Sequence, residues 1–154
     1  GVYQNFDKDL CSVLKNALIQ VDRYKRLYLV SPEPGRNRDI IAGFNKFSKT
    51  TKIITGIKAG INTADIKKGD AFIVPEDREL VEIIKSVEAN QWQLGKEVGI
   101  LSYNETTLKS VIAGGITTIT SDFRAMGKSI IEMVTSGKRE MLENPFTVID
   151  RKSF

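Results

Sequence analysis

The 154-residue chain carries 23 basic and 19 acidic residues, a formal net charge of +4, with 41% hydrophobic and 27% charged positions. This is the make-up of one globular domain with a proper core, and it excludes a disordered or fibrous segment. The basic spots at residues 66–70 and 136–143 carry their own acids, which is a solvated surface and not the one-sided basic face of a nucleic-acid reader.

Histidine is absent, which removes His-based triads, imidazole metal ligands and imidazole pH switching together. Cys11 is alone, so no internal disulfide can form, and its place among apolar positions marks a buried thiol and not a nucleophile. No run approaches the length of a membrane span, and residues 1–10 show neither a basic nor an apolar leader region. The expectation is a soluble, cytoplasmic chain with no membrane partner.

In chain order, Leu10, Leu14, Ala17, Leu18 and Val21 share one face of a helix expected within residues 6–25, with Asp7 and Asp9 at the end where the helix dipole favours carboxylates. A short apolar strand at 26–30 is stopped by Pro32, Pro34 and Gly35. Asn37 is placed to cap a helix whose stripe is Ile40, Ile41, Phe44 and Phe47, and residues 52–57 read as the next strand. After a less regular stretch at 58–69, a strand at 70–74 leads into a helix over 76–92 with Leu80, Ile83, Ile84 and Val87 inward. A strand through residues 99–103, a short helix at 106–115, a strand at 116–120, a capped helix ending in Gly137 and a last strand from Phe146 complete the pattern. Strands alternating with helices predict an α/β fold in three layers, a largely parallel sheet with helices on both faces.

In such sheets ligands bind beyond the carboxyl ends of the strands. The loops collected there, residues 31–36, 56–60, 75–77, 102–105 and 120–123, are polar and rich in hydroxyls. They do not read as catalytic. Ser102 and Ser121 lack a nucleophile-elbow or Ser-x-x-Lys context, and the glycines at 114–115 precede a strand without the Gly-Lys-Ser/Thr ending of a phosphate loop. Glu76 and Asp77 with Asn104 and Glu105 superficially suggest a Mg²⁺ or phosphoryl-acceptor site. Recognition of a polyol fits better: carboxylates and amides take paired hydroxyls, and a ring such as Phe123 or Tyr103 covers the C–H face of a sugar. That needs no metal and no cofactor. The structural alternative is that Asn104 and Glu105 make a turn and cap the helix near Thr106.

The stretch "KEVGILSYNETTLKSVIAGGITTITSDFRAMGKSIIEMV", followed by "NPFTVIDRKSF", resembles the C-terminal part of LacI/GalR-type transcriptional regulators. The order is distinctive: a strand ending in a polar cluster, a Thr-Thr-Ile strand, a helix opening with a polar residue and carrying Met126-Gly127, then a closing Arg-x-Ser strand. Upstream, "RDIIAGFNKF" and "DAFIVPEDRELVEII" fall where that family has its Gly-Phe helix and its Asn-Asp strand end. The wording at "SYNET", "GGITTIT" and "NPF" is closer to members that carry a GntR-type winged-helix head.

The resemblance implies the C-terminal lobe of a periplasmic-binding-protein-like fold, a small-molecule effector in the cleft, a homodimer, and DNA contact only through a head that would lie before Gly1. It divides the chain into residues 1–115 and 143–154, which form that lobe, and a crossover segment, 116–142, which would belong to the other lobe. Without its usual sheet, that segment is expected to be arranged differently, for instance by exchange with a second copy. The family's ligand positions map onto Glu76, Asp77, Asn104, Ser121 and Phe123. Two departures bear on the ligand: Ile40 stands where many members have an arginine, leaving Arg36 or Arg38 as substitutes, and Glu76-Asp77 stand where they have Asn-Asp. Acids at these positions disfavour an anionic sugar acid and favour a neutral sugar. The expected function is thus effector sensing without catalysis. The rivals are a transporter's sugar-binding protein and a Mg²⁺-dependent phosphotransfer domain.

Overall fold

The computed structural model describes residues 1–16, 19–33 and 35–154. The chain begins with a two-residue strand, β1 (Val2–Tyr3), and the helix α1 (Phe6–Leu14), whose Asn5 cap accepts a hydrogen bond from the Lys8 amide. The helix expected to run on towards residue 25 stops at Leu14. Gln20 takes a left-handed backbone and Val21–Arg23 form a single 3-10 turn, so Val21 reaches the same core without helical continuity. Of the predicted stripe, Ala17 and Leu18 lie outside the described residues.

There follow β2 (Arg26–Val30), α2 (Arg38–Ser48), β3 (Ile54–Lys58), β4 (Asp70–Val74), α3 (Asp77–Ala89), β5 (Val98–Tyr103), α4 (Thr107–Val111), β6 (Thr117–Ser121), α5 (Phe123–Ser136), β7 (Leu142–Glu143) and β8 (Phe146–Ile149). Among the described residues the main sheet has the order β3-β2-β4-β5-β6-β8. All pairings are parallel except that of β8 with β6. β1 and β7 pair with each other in parallel, off the sheet.

Side chains alternate along each central strand between two cores, as the period of a strand requires. Leu27, Leu29, Ala71, Ile73, Leu101 and Ile119 face α1 and α2; Val30, Phe72, Val74, Val98 and Ile100 face α3. This is the three-layer, largely parallel α/β architecture read from the sequence. On the first face α1 and α2 approach so closely that a Cβ at Gly43 would stand 2.4 Å from the Asp7 carbonyl oxygen.

The last four residues close the sheet. Ser153 Oγ donates to the Ile100 carbonyl and accepts from the Thr117 amide, both at 2.7 Å, and the Phe154 ring lies 5.2 Å from that of Tyr24. Gly95 makes room for this tail: its φ is +78° and a Cβ there would fall 1.8 Å from the Lys152 carbonyl oxygen, so only glycine fits.

Of residues 116–142, the strand Thr117–Ser121 sits inside the sheet between β5 and β8, while the helix after it does not. Asp122 caps α5 by accepting from the Ala125 amide, and Gly137 ends it in the left-handed conformation, as the sequence predicts. No residue of α5 is buried; Ile131 and Val134 are 65% and 77% exposed.

Candidate ligand cleft

β4 and β5 run in register from Asp70 beside Val98 to Val74 beside Ser102, so the loops after them leave the sheet at one edge. β2, on the other side of β4, ends at the same level and hands over to Ser31. Ser31 is buried, and its hydroxyl accepts from Asn37 Nδ2 at 3.2 Å. Asn37 stands at the N-cap of α2 as expected, yet its side chain is spent on this cross-link and makes no capping bond. The first amides of α2 are thereby left without a side-chain cap at the sheet edge.

These loops and the first turn of α2 enclose a cleft of about 750 Å³ lined by Phe6, residues 35–40, Pro75, Glu76, Tyr103 and Asn104. Glu76 is the N-cap of α3 but its carboxylate caps nothing. Asn104 has φ +60°, the left-handed region that asparagine tolerates better than most residues, and its amide N–H donates to the Ile119 carbonyl at 2.8 Å. The residue is exposed at the tip of this turn. The charges on the lining are two guanidinium groups, Arg36 and Arg38, and two carboxylates, Asp39 and Glu76, so the cleft as a whole is neutral.

The remaining sequence candidates lie elsewhere. Asp77 does not line the cleft; its carboxylate pairs with Lys109 Nζ at 2.9 Å. Ser121 is buried at the end of β6 opposite Phe146 of β8, and Phe123 stands 67% exposed at the start of α5; neither lines the cleft. Glu105 turns away to Arg151, whose guanidinium donates to Oε1 at 2.6 Å and to Oε2 at 2.9 Å, and it also accepts from the Thr118 hydroxyl. The forked Arg151 guanidinium holds the Glu105 carboxyl below the usual carboxylate range. Thus two of the three acids that invited a Mg²⁺ reading, Asp77 and Glu105, each have a cation of their own. Among the described residues no group of three or more His, Cys, Asp or Glu could hold a metal ion.

Sequence reasoning missed Lys109 and Arg151 because each acts on residues whose nearness is created by the fold. It also passed over Asn37 as more than a cap. The Tyr103 side chain belongs to the α1/α2 core, where burial raises its phenol, and its hydroxyl makes no hydrogen bond there.

The sequence profile of the periplasmic binding protein-like domain matches residues 41–154, most of the chain. The chain belongs to this family. No curated protein sequence matches it. Among solved structures, it is similar in fold to the Escherichia coli transcriptional repressor ascG (TM-score 0.74, 12% identity, 99% of this chain and 63% of that one). It is similar too to the Lac repressor bound to ONPG in its repressed state (TM-score 0.72, 16% identity, 99% and 52%). A third likeness is an uncharacterized protein from Actinobacillus succinogenes (TM-score 0.75, 12% identity, 99% and 64%). At these identities the likeness is one of fold. The chain spans between 52% and 64% of the length of these structures. Among the described residues no helix is long and apolar enough to cross a membrane.

Proposed function

We propose that this chain is the C-terminal effector-binding lobe of a LacI/GalR-type transcriptional regulator, and that its effector is a neutral sugar held at the carboxyl edge of the sheet. The observation that carries this reading is the cleft itself. It opens where three parallel strands end, its charges balance, and Arg36, Glu76 and Asn104 offer both donors and acceptors to adjacent hydroxyls. A net-neutral cleft gives an anionic ligand no field to follow. The solved structures of similar fold include proteins described as transcriptional repressors, which supports a regulator over a transporter's binding protein.

In this reading the DNA-binding head and most of the opposing lobe lie outside the 154 residues, the working unit is a cytoplasmic homodimer, and the protein catalyses nothing. The helix Phe123–Ser136 with β1 and β7 is the part of the chain that belongs to the opposing lobe, which accounts for its exposed apolar residues. Ser121 and Phe123, at the crossing into that segment, contact the effector from the second lobe's side of the cleft. Half a cleft leaves most of a small ligand in water, so the isolated chain binds weakly.

The test is a thermal-shift screen of the full-length protein against neutral pentoses, hexoses, deoxy-sugars and their acids, because a ligand that binds only the folded state raises its melting temperature. A rise specific to one neutral sugar is expected, and Asn104→Ala should diminish it while leaving the protein folded. A response only to Mg²⁺, a nucleotide or the sugar acids would overturn the reading.

A further inference from the structure

One buried cation, Lys109, sits among the strand-end loops behind the cleft and does not itself line it. Lys109 lies on α4, and its side chain is 4% exposed. Its Nζ donates to the Tyr103 carbonyl at 2.6 Å and to the Asn104 carbonyl at 3.2 Å, and pairs with Asp77 Oδ1 at 2.9 Å. Two N–H groups of the ammonium are taken by main-chain carbonyls and its charge is paired with Asp77.

Burying an ammonium is costly unless its partners are well placed, and here two of them are main-chain carbonyls at the one turn that carries Asn104. Residue 104 holds a left-handed backbone that is unfavourable for any side-chain-bearing residue. It is pinned on one side by its own N–H to Ile119 and on the other by its carbonyl to Lys109. The same ammonium draws the Asp77 carboxylate off the β4–α3 corner, leaving Glu76 as the acid of that corner on the cleft lining.

We propose that Lys109 is a positioning residue for the cleft: it acts through Asn104, fixing the left-handed turn that presents this amide to the ligand, and it removes Asp77 from ligand contact. The proposal rests on the effector-cleft reading, and its first test needs no ligand. Amide hydrogen exchange in Lys109→Met is expected to speed up about tenfold or more at Asn104, with Ile100 and Leu101 of β5 at their original rates, because the loss is a local opening. Lys109→Arg, which keeps charge and donors, should restore most of the protection. Asp77→Asn leaves both carbonyl contacts and should accelerate Asn104 by less than about threefold, so this variant reads the clamp even if the Met variant does not fold. An unchanged rate at Asn104 in Lys109→Met would overturn the proposal. So would an equal acceleration along all of β5.

The second arm uses whichever neutral sugar of the panel raises the melting temperature of the full-length protein most. Lys109→Met should weaken its binding about tenfold in the parent but less than about twofold in an Asn104→Ala background, since residues that act as a unit are not additive. Equal losses in both backgrounds would make Lys109 merely structural. If no sugar binds the parent, it is the effector reading that fails, and the exchange rates still decide whether Lys109 sets the turn at Asn104.

Discussion

Helices α3 and α5 are nearly alike on paper and opposite in the fold. Each is an amphipathic segment between two strands, 13 and 14 residues long, with Leu80, Ile83, Ile84 and Val87 forming the stripe of one and Ile130, Ile131, Met133 and Val134 supplying that of the other. α3 lays its stripe on the sheet and buries it, whereas α5 buries nothing. Periodicity therefore states that a helix has an apolar face and is silent about what covers it. The difference arises in the connections: α3 lies between adjacent parallel strands of one sheet and crosses over its face, while α5 leaves the sheet after β6 and returns through β7 and β8.

The contrast is broken most forcefully by truncating the two stripes. Leu80→Ala is expected to cost about 2–5 kcal/mol in urea unfolding, through lost burial and the cavity left behind. Val134→Ala in α5 should stay within about 0.5 kcal/mol of the parent. Equal costs would mean that α5 is covered in solution, by a second copy of the chain.

A pair of glycines sharpens the same comparison. Gly43 of α2 meets the Asp7 backbone, so Gly43→Ala must push α1 and α2 apart and should destabilise by about 1–3 kcal/mol. Gly127 of α5 has nothing within 4 Å of its would-be Cβ, and Gly127→Ala should stabilise by about 0.5–1 kcal/mol through helix propensity alone. Melting temperatures of the two variants should move in opposite directions.

The smaller contrast is electrostatic. Glu105, three-quarters buried and gripped by Arg151, has its carboxyl held low, whereas Glu132 of α5 lies 3.9 Å from Lys128 on an open surface. A carboxyl lowered in the folded state contributes stability above its unfolded value, about 4.5, and that contribution is lost as the pH falls through the lowered value. Glu105→Gln should thus cost about 1–2 kcal/mol near neutral pH, with the gap to the parent closing in acid. Glu132→Gln should stay within about 0.5 kcal/mol of the parent near neutral pH.

Against this background it is clear which parts of the fold could be read from the sequence. The apolar runs at 70–74 and 98–103 and the stripes of α2 and α3 depend on neighbours in the chain, and they appear where expected. The rule that ligands sit beyond strand ends also led to Glu76 and Asn104, which line the cleft. What escaped depends on distant partners. β1 and β7 are two residues each and exist only by pairing across the length of the chain. Glu105 meets Arg151 across 46 positions, so its turn-like sequence could not reveal that it ties down the closing strand. Asp77 looked like a ligand group beside Glu76 until the fold brought Lys109 beneath it. The α1 stripe continued past Leu14 because Val21 enters the same core by a different backbone.

The central claim is that a neutral sugar binds at the carboxyl edge of β2, β4 and β5. Its most direct test is to map backbone amide chemical shifts of the chain while titrating the sugar that stabilises the full-length protein, a method that registers weak binding. The account predicts saturable shifts at residues 35–40, Glu76 and Asn104, with smaller ones at Ser121 and Phe123. Shifts gathered instead around Asp9 and β8, or along α5 beyond Phe123, would contradict it.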